Sequence, residues 1–439
     1  MLAVEFIIVL LAIFLGARLG GIGIGFAGGL GVLVLAAIGV KPGTIPFDVI
    51  SIIMAVIAAI SAMQIAGGLD YLVDQTEKLL RRNPKYITIL APIVTYFLTL
   101  FAGTGNISLA TLPVIAEVAK EQGVKPCRPL STAVVAAQIG ITASPISAAV
   151  VYMASVMENS AMVGAGNTVS YITLLAILLP STFLAIILMS FIISWTFNSK
   201  LSDDPVYQKR LAEGLVELRG SQVKAIKPGA KSSVFLFLLG VVGVVVYAII
   251  NSPSLEIVKT PLMNTTNAIL IIMLSVATLI TILCRVNTDA ILNSSTFKAG
   301  MSACICILGV AWLGDTFVQH NIDWIKATAG DLIHEHSWML AVIFFCSALL
   351  YSQAATAKAL MPMALALHVS PLTAIASFSA VSGLFILPTY PTLVAAVQMD
   401  DTGTTRIGRF VFNHPFFIPG TIAVILAVTF GFLFGGMIL

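Results

Sequence analysis

Apolar stretches of about 20 residues return from one end of this 439-residue chain to the other, at about 2–17, 20–40, 47–68, 87–118, 131–153, 171–195, 232–250, 267–284, 299–317, 337–367, 372–398 and 416–437. A helix rising about 1.5 Å per residue needs about 20 apolar residues to cross a hydrocarbon layer roughly 30 Å thick. Repeated this often, the pattern specifies an all-α polytopic membrane protein. Only 10% of residues are charged and 58% are hydrophobic, against roughly 25% charged in an average soluble domain. The net charge of +3 is small and the basic residues are scattered over short loops, so the partner is the lipid bilayer and no nucleic acid is expected. Five cysteines without CxxC spacing suggest neither disulfides nor a metal site, and no cofactor is expected. The segment Met1–Gly16 carries Glu5 where a signal peptide has a basic region, and Arg18 follows it, so it is read as a retained first span.

Segments 87–118 and 337–367 are too long for one crossing and are interrupted midway by small and polar residues. Each is read as a re-entrant helical hairpin. With these two hairpins and about ten transmembrane helices, 19 of the 23 lysines and arginines fall in loops on one side, Lys41, Lys259 and Lys326 on the other, and Lys358 inside the second hairpin. Basic loops stay in the cytoplasm, so both termini are expected on the periplasmic side.

The polar segment 197–231, helix-like from Pro205 to Glu217, separates a first repeat over 1–196 from a second over 232–439, each with three spans, a hairpin and two spans. Five full crossings is an odd number, so the second repeat is inverted relative to the first. Traces survive in the order of Leu112-Pro113, Pro129-Leu130-Ser131 and Ser144-Pro145 in one half, and Met361-Pro362, Pro371-Leu372-Thr373 and Tyr390-Pro391 in the other. Inverted repeats with interrupted helices are a signature of secondary transporters, because free backbone groups at mid-membrane are tolerated only beside a cavity. Four breaks are readable: the hairpin turns at 103–108 and 352–356, and the helix breaks at Thr142-Ala143-Ser144-Pro145 and Pro388-Thr389-Tyr390-Pro391. Helix N-termini there present N–H groups and a positive dipole end, which suits carboxylates.

The stretches FLGARLGGIGIGFAGGLGVLVLAAIGVKPG, FAGTGNISLATLPVIAEVAKEQGVKPCRPL, MNTTNAILIIMLSVAT, LYSQAATAKALMP and GLFILPTYPTLVAAVQMDDTGTTRIG resemble the anaerobic C4-dicarboxylate transporter (Dcu) family along essentially the whole chain. The resemblance implies an inner-membrane carrier of Gram-negative bacteria for aspartate, fumarate, malate and succinate, working mainly by exchange. It also implies membership of the ion-transporter superfamily, whose sodium-coupled dicarboxylate carriers are homodimers with scaffold and transport domains that work by an elevator motion. Those relatives carry Ser-Asn-Thr motifs at their hairpin tips. Here the positions read Thr104-Gly105-Asn106 and Gln353-Ala354-Ala355-Thr356, and the departure of the second weighs against sodium coupling.

The expected substrate site joins both tips and both breaks: Thr104, Gly105, Asn106, Ser108, Thr142, Ser144 and Pro145 from one repeat, and Ser352, Gln353, Thr356, Thr389, Tyr390 and Thr392 from the other. Lys358, an intramembrane cation with no acid near it in sequence, is expected to bind a substrate carboxylate or to replace a coupling cation. Glu5 is read as solvated at the outer face, Asp315 as interfacial, Glu117 as the ion-pair partner of Lys120, and all five histidines as loop residues. Gly23-Ile24-Gly25-Phe26-Ala27-Gly28 matches GxGxxG but follows no strand, and Gly21, Gly25 and Gly29 are read as a helix-packing face. No HExxH, GxSxG or paired intramembrane aspartates point to an enzyme. Antiport by alternating access is the leading expectation, with proton- or sodium-coupled symport of C4 dicarboxylates or other organic anions as the alternative.

Overall fold

A computed structural model describes the chain except for residues 1, 20–21, 46, 159–162, 165–166, 198, 217–225, 252–256, 259–261, 322, 325–337, 348–351, 367–368, 389 and 410–411. Among the described residues the chain is helical and contains no β-strand beyond one isolated bridge, Val124 to Lys200. The first half runs α1 (Leu2–Leu19), α2 (Gly23–Ala37), α3 (Phe47–Ile65), α4 (Gly68–Arg82), α5 (Ile87–Ala102), α6 (Ser108–Glu121), α7 (Cys127–Ile141), α8 (Ala148–Met157) and α9 (Tyr171–Thr196). After the short α10 (Pro205–Ala212) come α11 (Ala230–Ile250), α12 (Thr265–Leu283), α13 (Thr288–Asn293), α14 (Ser295–His320), α15 (Met339–Ser347), α16 (Gln353–Ala366), α17 (Pro371–Phe378), a 3-10 turn (Ser379–Phe385), α18 (Pro391–Met399) and α19 (Phe417–Ile438).

Six described stretches are long and apolar enough to cross a membrane: Pro84–Ala102, Tyr171–Thr196, Ala230–Ile250, Thr265–Leu283, Ser295–Phe317 and Phe417–Ile438. Ile50–Ile65 with Gly68–Arg82 passes the same test as a pair, bent by 73°. The expected count of about ten is larger because several expected spans are short or divided. Leu2–Gly16 and Gly23–Ala37 are shorter apolar helices, and both expected broken spans are cut into pieces. The linker helix also stops at Ala212, short of the Glu217 that the polar pattern suggests.

Helices pack in two sets. In one, α2 lies on α1 and α14, and α3 on α12 and α14, with α11 against α12. In the other, α9 packs on α19 and α5 on α7, with α17 and the 3-10 turn also against α19. The sets meet where α16 packs against both α8 and α14, and where α4 touches both α6 and α11. The α2–α14 crossing explains the GxGxxG pattern. A Cβ built on Gly25 would stand 2.2 Å from the Ile305 carbonyl oxygen, and one on Gly309 would stand 1.8 Å from that of Gly25. Of the expected glycine face, Gly25 makes this contact, Gly29 has no atom within 4 Å and Gly21 lies outside the described residues.

One charged residue differs from expectation, and a second has partners that the sequence did not show. Glu5 is 1% exposed and not solvated, because α1 packs against the end of α14, where Asn321 Nδ2 donates to its carboxylate at 2.7 Å and His320 stands 3.6 Å away. Asp315 is buried and accepts from the Thr44 N–H and, at 3.1 Å, from the Thr44 hydroxyl. With Thr316 accepting from the Gly43 N–H and Trp312 Nε1 donating to the Gly43 carbonyl, it clasps the α2–α3 loop onto α14. His320 is the last residue of α14 rather than a loop residue, His414 is a buried loop residue, and His334, His336 and His368 lie outside the described residues.

On the face predicted to be cytoplasmic, Lys120 bridges Glu117 and Asp401 at 2.9 Å each, which joins α6 to the loop after α18. Asp204 caps α10 by accepting from the Val206 and Tyr207 N–H groups and pairs with Lys125 at 3.0 Å. Burial pushes the Asp204 carboxyl up, but Lys125 and the two N–H donors outweigh it and hold the group below its ordinary value.

Candidate functional site

The first hairpin turns because α5 ends at Gly103, whose left-handed backbone (φ +67°) lets the chain reverse. Thr104 is extended and its Oγ1 accepts from the Asn106 N–H at 3.4 Å, starting a 3-10 turn, Gly105–Ile107, that runs on into α6. Ser108 is buried, and its hydroxyl donates to the Gly105 carbonyl at 2.7 Å, so it braces the turn from within.

The first break follows from local competition for carbonyls. The Thr142 N–H bonds Ile139 at 3.0 Å, tightening the end of α7, and the Thr142 hydroxyl donates to the same carbonyl at 2.8 Å. Ser144 Oγ donates to the Leu100 carbonyl at 2.6 Å, tying the break to the hairpin. Ser147 starts α8 by accepting from the Val150 N–H at 3.2 Å, and the Pro145 carbonyl accepts from the Tyr171 hydroxyl. Thr142 and Ser144 are fully buried.

In the second half, Gln353 opens α16, and its Nε2 donates to the Gln138 carbonyl at 3.3 Å, where Ser382 Oγ also donates at 3.0 Å. Thr356 is buried within α16, and its N–H returns to the Ser352 carbonyl at 3.0 Å. The second break is longer than the first, because the 3-10 turn Ser379–Phe385 already interrupts the helix upstream of Tyr390, which caps α18. Thr392 is buried behind it, and Thr389 lies outside the described residues.

A cavity of about 420 Å³ opens between these parts, within the roughly 300–1,000 Å³ common for small-molecule sites. Thr104, Gly105 and Asn106 line it from the first tip, and Ser352 and Gln353 from the second. Ile146 and Ala148 come from the first break, Tyr390 and Pro391 from the second. Of the expected site residues, therefore, Thr104, Gly105, Asn106, Ser352, Gln353 and Tyr390 share one cavity. Ser108, Thr142, Ser144, Pro145, Thr356 and Thr392 stand outside its lining, and at least four of them build the turns. Lys358 is half-buried on α16 outside the lining, and the carboxylates whose field reaches it are Asp315 and Asp48, neither of them near it in sequence.

The opposite wall was not anticipated. Ile53 and Ile57 of α3 supply an apolar face, and Gly300, Ser302 and Cys306 of α14 a small, partly polar one. The spacing of Ser302 and Cys306, four apart with Gly300 close by, was the available signal for that face.

Among the described residues, no acidic or basic side chain lines the cavity. Four helix N-termini do. Gly105 and Asn106 open the turn into α6, Ala148 and Ala149 open α8, Gln353 and Ala354 open α16, and Tyr390 and Pro391 open α18. Each helix end carries roughly half a positive charge, so four supply about two.

Over residues 1–439 the chain matches the family described as anaerobic C4-dicarboxylate membrane transporters. It is 82% identical to the C4-dicarboxylate transporter DcuA of Escherichia coli (strain K12) and 60% identical to that of Wolinella succinogenes, in each case over 100% of both chains. Identity to the anaerobic C4-dicarboxylate transporter DcuB of E. coli O6:H1 is 37%, over 99% of this chain and 98% of the other. In fold it is similar to the YdaH transporter of Alcanivorax borkumensis, with a TM-score of 0.57 at 16% identity, covering 99% and 96% of the two chains.

Proposed function

This chain belongs to the anaerobic C4-dicarboxylate membrane transporter family, and we propose that it carries C4 dicarboxylates (aspartate, fumarate, malate and succinate) across the bacterial inner membrane as a secondary transporter. Antiport is its main mode, with aspartate or fumarate entering and succinate leaving. The observation that carries this reading is the convergence of four helix N-termini on one cavity with no charged side chain among its described lining residues. Their summed partial charge of about two matches a dianion without committing a fixed cation to the site. Thr104, Asn106, Ser352 and Tyr390 add hydrogen-bonding groups, and the isoleucines of α3 cover the carbon chain between the carboxylates.

The sequence divides into inverted repeats over 1–196 and 232–439 joined by the linker 197–231, with both termini periplasmic. The order of elements supports this division, because a hairpin, a broken helix and a long final helix follow the opening helices of each half. The set holding α5–α9 and α15–α19 moves as the transport domain against a scaffold of α1–α3 and α11–α14 in an elevator-type alternating access, and the scaffold forms a homodimer. Lys358 stands on the moving side and faces the fields of Asp315 and Asp48 from the fixed side. Helix dipoles add no net charge, so a bound dianion also offsets Lys358 from the neighbouring cavity, and without the dianion the carrier crosses poorly, which makes antiport the main mode.

Uptake of labelled aspartate and fumarate into proteoliposomes, preloaded with succinate or left without it, tests the reading. Accumulation only in loaded vesicles, insensitive to sodium or a pH gradient, supports antiport. Accumulation in unloaded vesicles driven by either gradient makes the protein a symporter and removes the role given to Lys358.

A further inference from the structure

We propose that Gln353 is the specificity-determining residue that distinguishes C4 dicarboxylates with a hydrogen-bond donor on C2, an ammonium or a hydroxyl, from those with none. The proposal rests on the C4-dicarboxylate reading above and assigns one of its contacts.

A backbone carbonyl holds the Gln353 side chain in place. In an unbroken α7 the Thr142 N–H would return to Gln138, but it turns to Ile139 at 3.0 Å, which leaves the Gln138 carbonyl free in a buried place. Gln353 Nε2 and Ser382 Oγ fill it from the second half, at 3.3 and 3.0 Å. A carbonyl only accepts, so the nitrogen end of the Gln353 amide faces Gln138 and the amide does not flip. Its Oε1 receives no hydrogen bond among the described residues and is not one of the buried atoms left without a partner, while Gln353 itself lines the cavity. Oε1 is therefore a fixed acceptor at the cavity edge.

Two other polar lining groups are adaptable. The Thr104 hydroxyl rotates to donate or accept, and the Asn106 amide makes no side-chain hydrogen bond among the described residues, so it turns its N–H groups toward a carboxylate. A fixed acceptor gains nothing from a carboxylate or a methylene, and it loses its water when either covers it. An ammonium or hydroxyl on C2 replaces that water. Sites built around such a hydrogen bond reject analogues that lack the donor far more strongly than apolar pockets reject size changes.

The test uses the full-length protein in proteoliposomes, with exchange of labelled fumarate competed by unlabelled aspartate, malate, fumarate and succinate. Gln353→Met removes the acceptor at similar length and is expected to weaken aspartate and malate by about 10-fold or more relative to fumarate and succinate, equivalent to about 1.4 kcal/mol. Gln353→Glu keeps acceptor oxygens and shifts the ratio the other way, toward aspartate. Ser382→Ala, which removes the other donor from the same carbonyl, leaves the ratio as in the unmodified protein. The proposal is overturned if both Gln353 variants move all four competitors together, if the ratio does not change, or if Ser382→Ala shifts it as far as Gln353→Met. Should Gln353→Met fail to reach the membrane, the direction seen with Gln353→Glu decides alone. An unmodified protein that exchanges none of the four refutes the C4-dicarboxylate reading itself, whereas one that exchanges all four while the variants act uniformly refutes only this assignment.

Discussion

Replacing Gly309 by alanine tests whether the two halves are held together by backbone contact at the α2–α14 crossing. The new Cβ would stand 1.8 Å from the Gly25 carbonyl oxygen, and ordinary contact begins at 3.4 Å, so the helices must separate by about 1.6 Å there. The obstructing atom is backbone, with no flexible side chain to yield, which places the cost at the upper end of the 1–3 kcal/mol usual for overpacking, about 3 kcal/mol. Helix propensity returns up to about 1 kcal/mol for glycine to alanine, leaving a net loss of about 2 kcal/mol. Gly29 on the same α2 has nothing within 4 Å, so Gly29→Ala keeps only the gain. Thermal unfolding in detergent, followed by fluorescence-detected size exclusion, should place G309A several degrees below the unmodified protein and G29A at or above it. Gly25→Ala, which meets the Ile305 carbonyl at 2.2 Å, should fall with G309A. A G309A midpoint equal to that of G29A would refute the close crossing.

Cys306 faces the cavity, so a small maleimide is expected to inactivate exchange and saturating fumarate to slow that inactivation; substrate-independent labelling would contradict the placement. Lys358→Gln is expected to let labelled succinate leave loaded vesicles with no counter-substrate outside, and unchanged kinetics would sink the role given to this cation. The Asp204 carboxyl titrates below its ordinary value, so its contribution to holding α10 is present above about pH 4 and is lost as pH falls through the lowered value. Hydrogen exchange at the Val206 and Tyr207 amides should accordingly be flat from pH 8 to about 5 once corrected for intrinsic rates, and loss of protection near pH 6 would contradict it.

Much of the helical plan was legible because lipid leaves a chain few ways to satisfy its backbone. The interruptions were legible for the same reason, since Gly103, Pro145 and Pro391 mark places where a helix cannot continue unchanged. The division of labour within each interruption was not. Ser108, Thr142 and Ser144 resemble Thr104 and Asn106 in composition, yet their hydroxyls go to the carbonyls of Gly105, Ile139 and Leu100 and build the turns. Hydroxyl-to-carbonyl bonds of this kind, two of them local and one reaching back 44 positions, leave no distinct mark on sequence. The contribution of α14 was equally hidden, because Ser302 and Cys306 read as small residues in an apolar span until α3 and α16 are packed beside them. Glu5 was misjudged and the clasp made by Asp315 was missed because their partners, Asn321 and Thr44, stand 316 and 271 positions away.

The Asp315–Thr44 clasp also constrains how the protein is made. At about 5–20 residues per second, the α2–α3 loop leaves the ribosome on the order of ten seconds to a minute before the carboxylate that will hold it. Through that interval the Thr44 N–H lacks its acceptor, and the face of α2 that will receive Gly309 is bare. The amino-terminal half therefore waits in the membrane, incompletely folded, for the carboxy-terminal half to insert. A nascent chain severed between the two exposes that same loop and groove to the proteases that clear orphaned membrane segments.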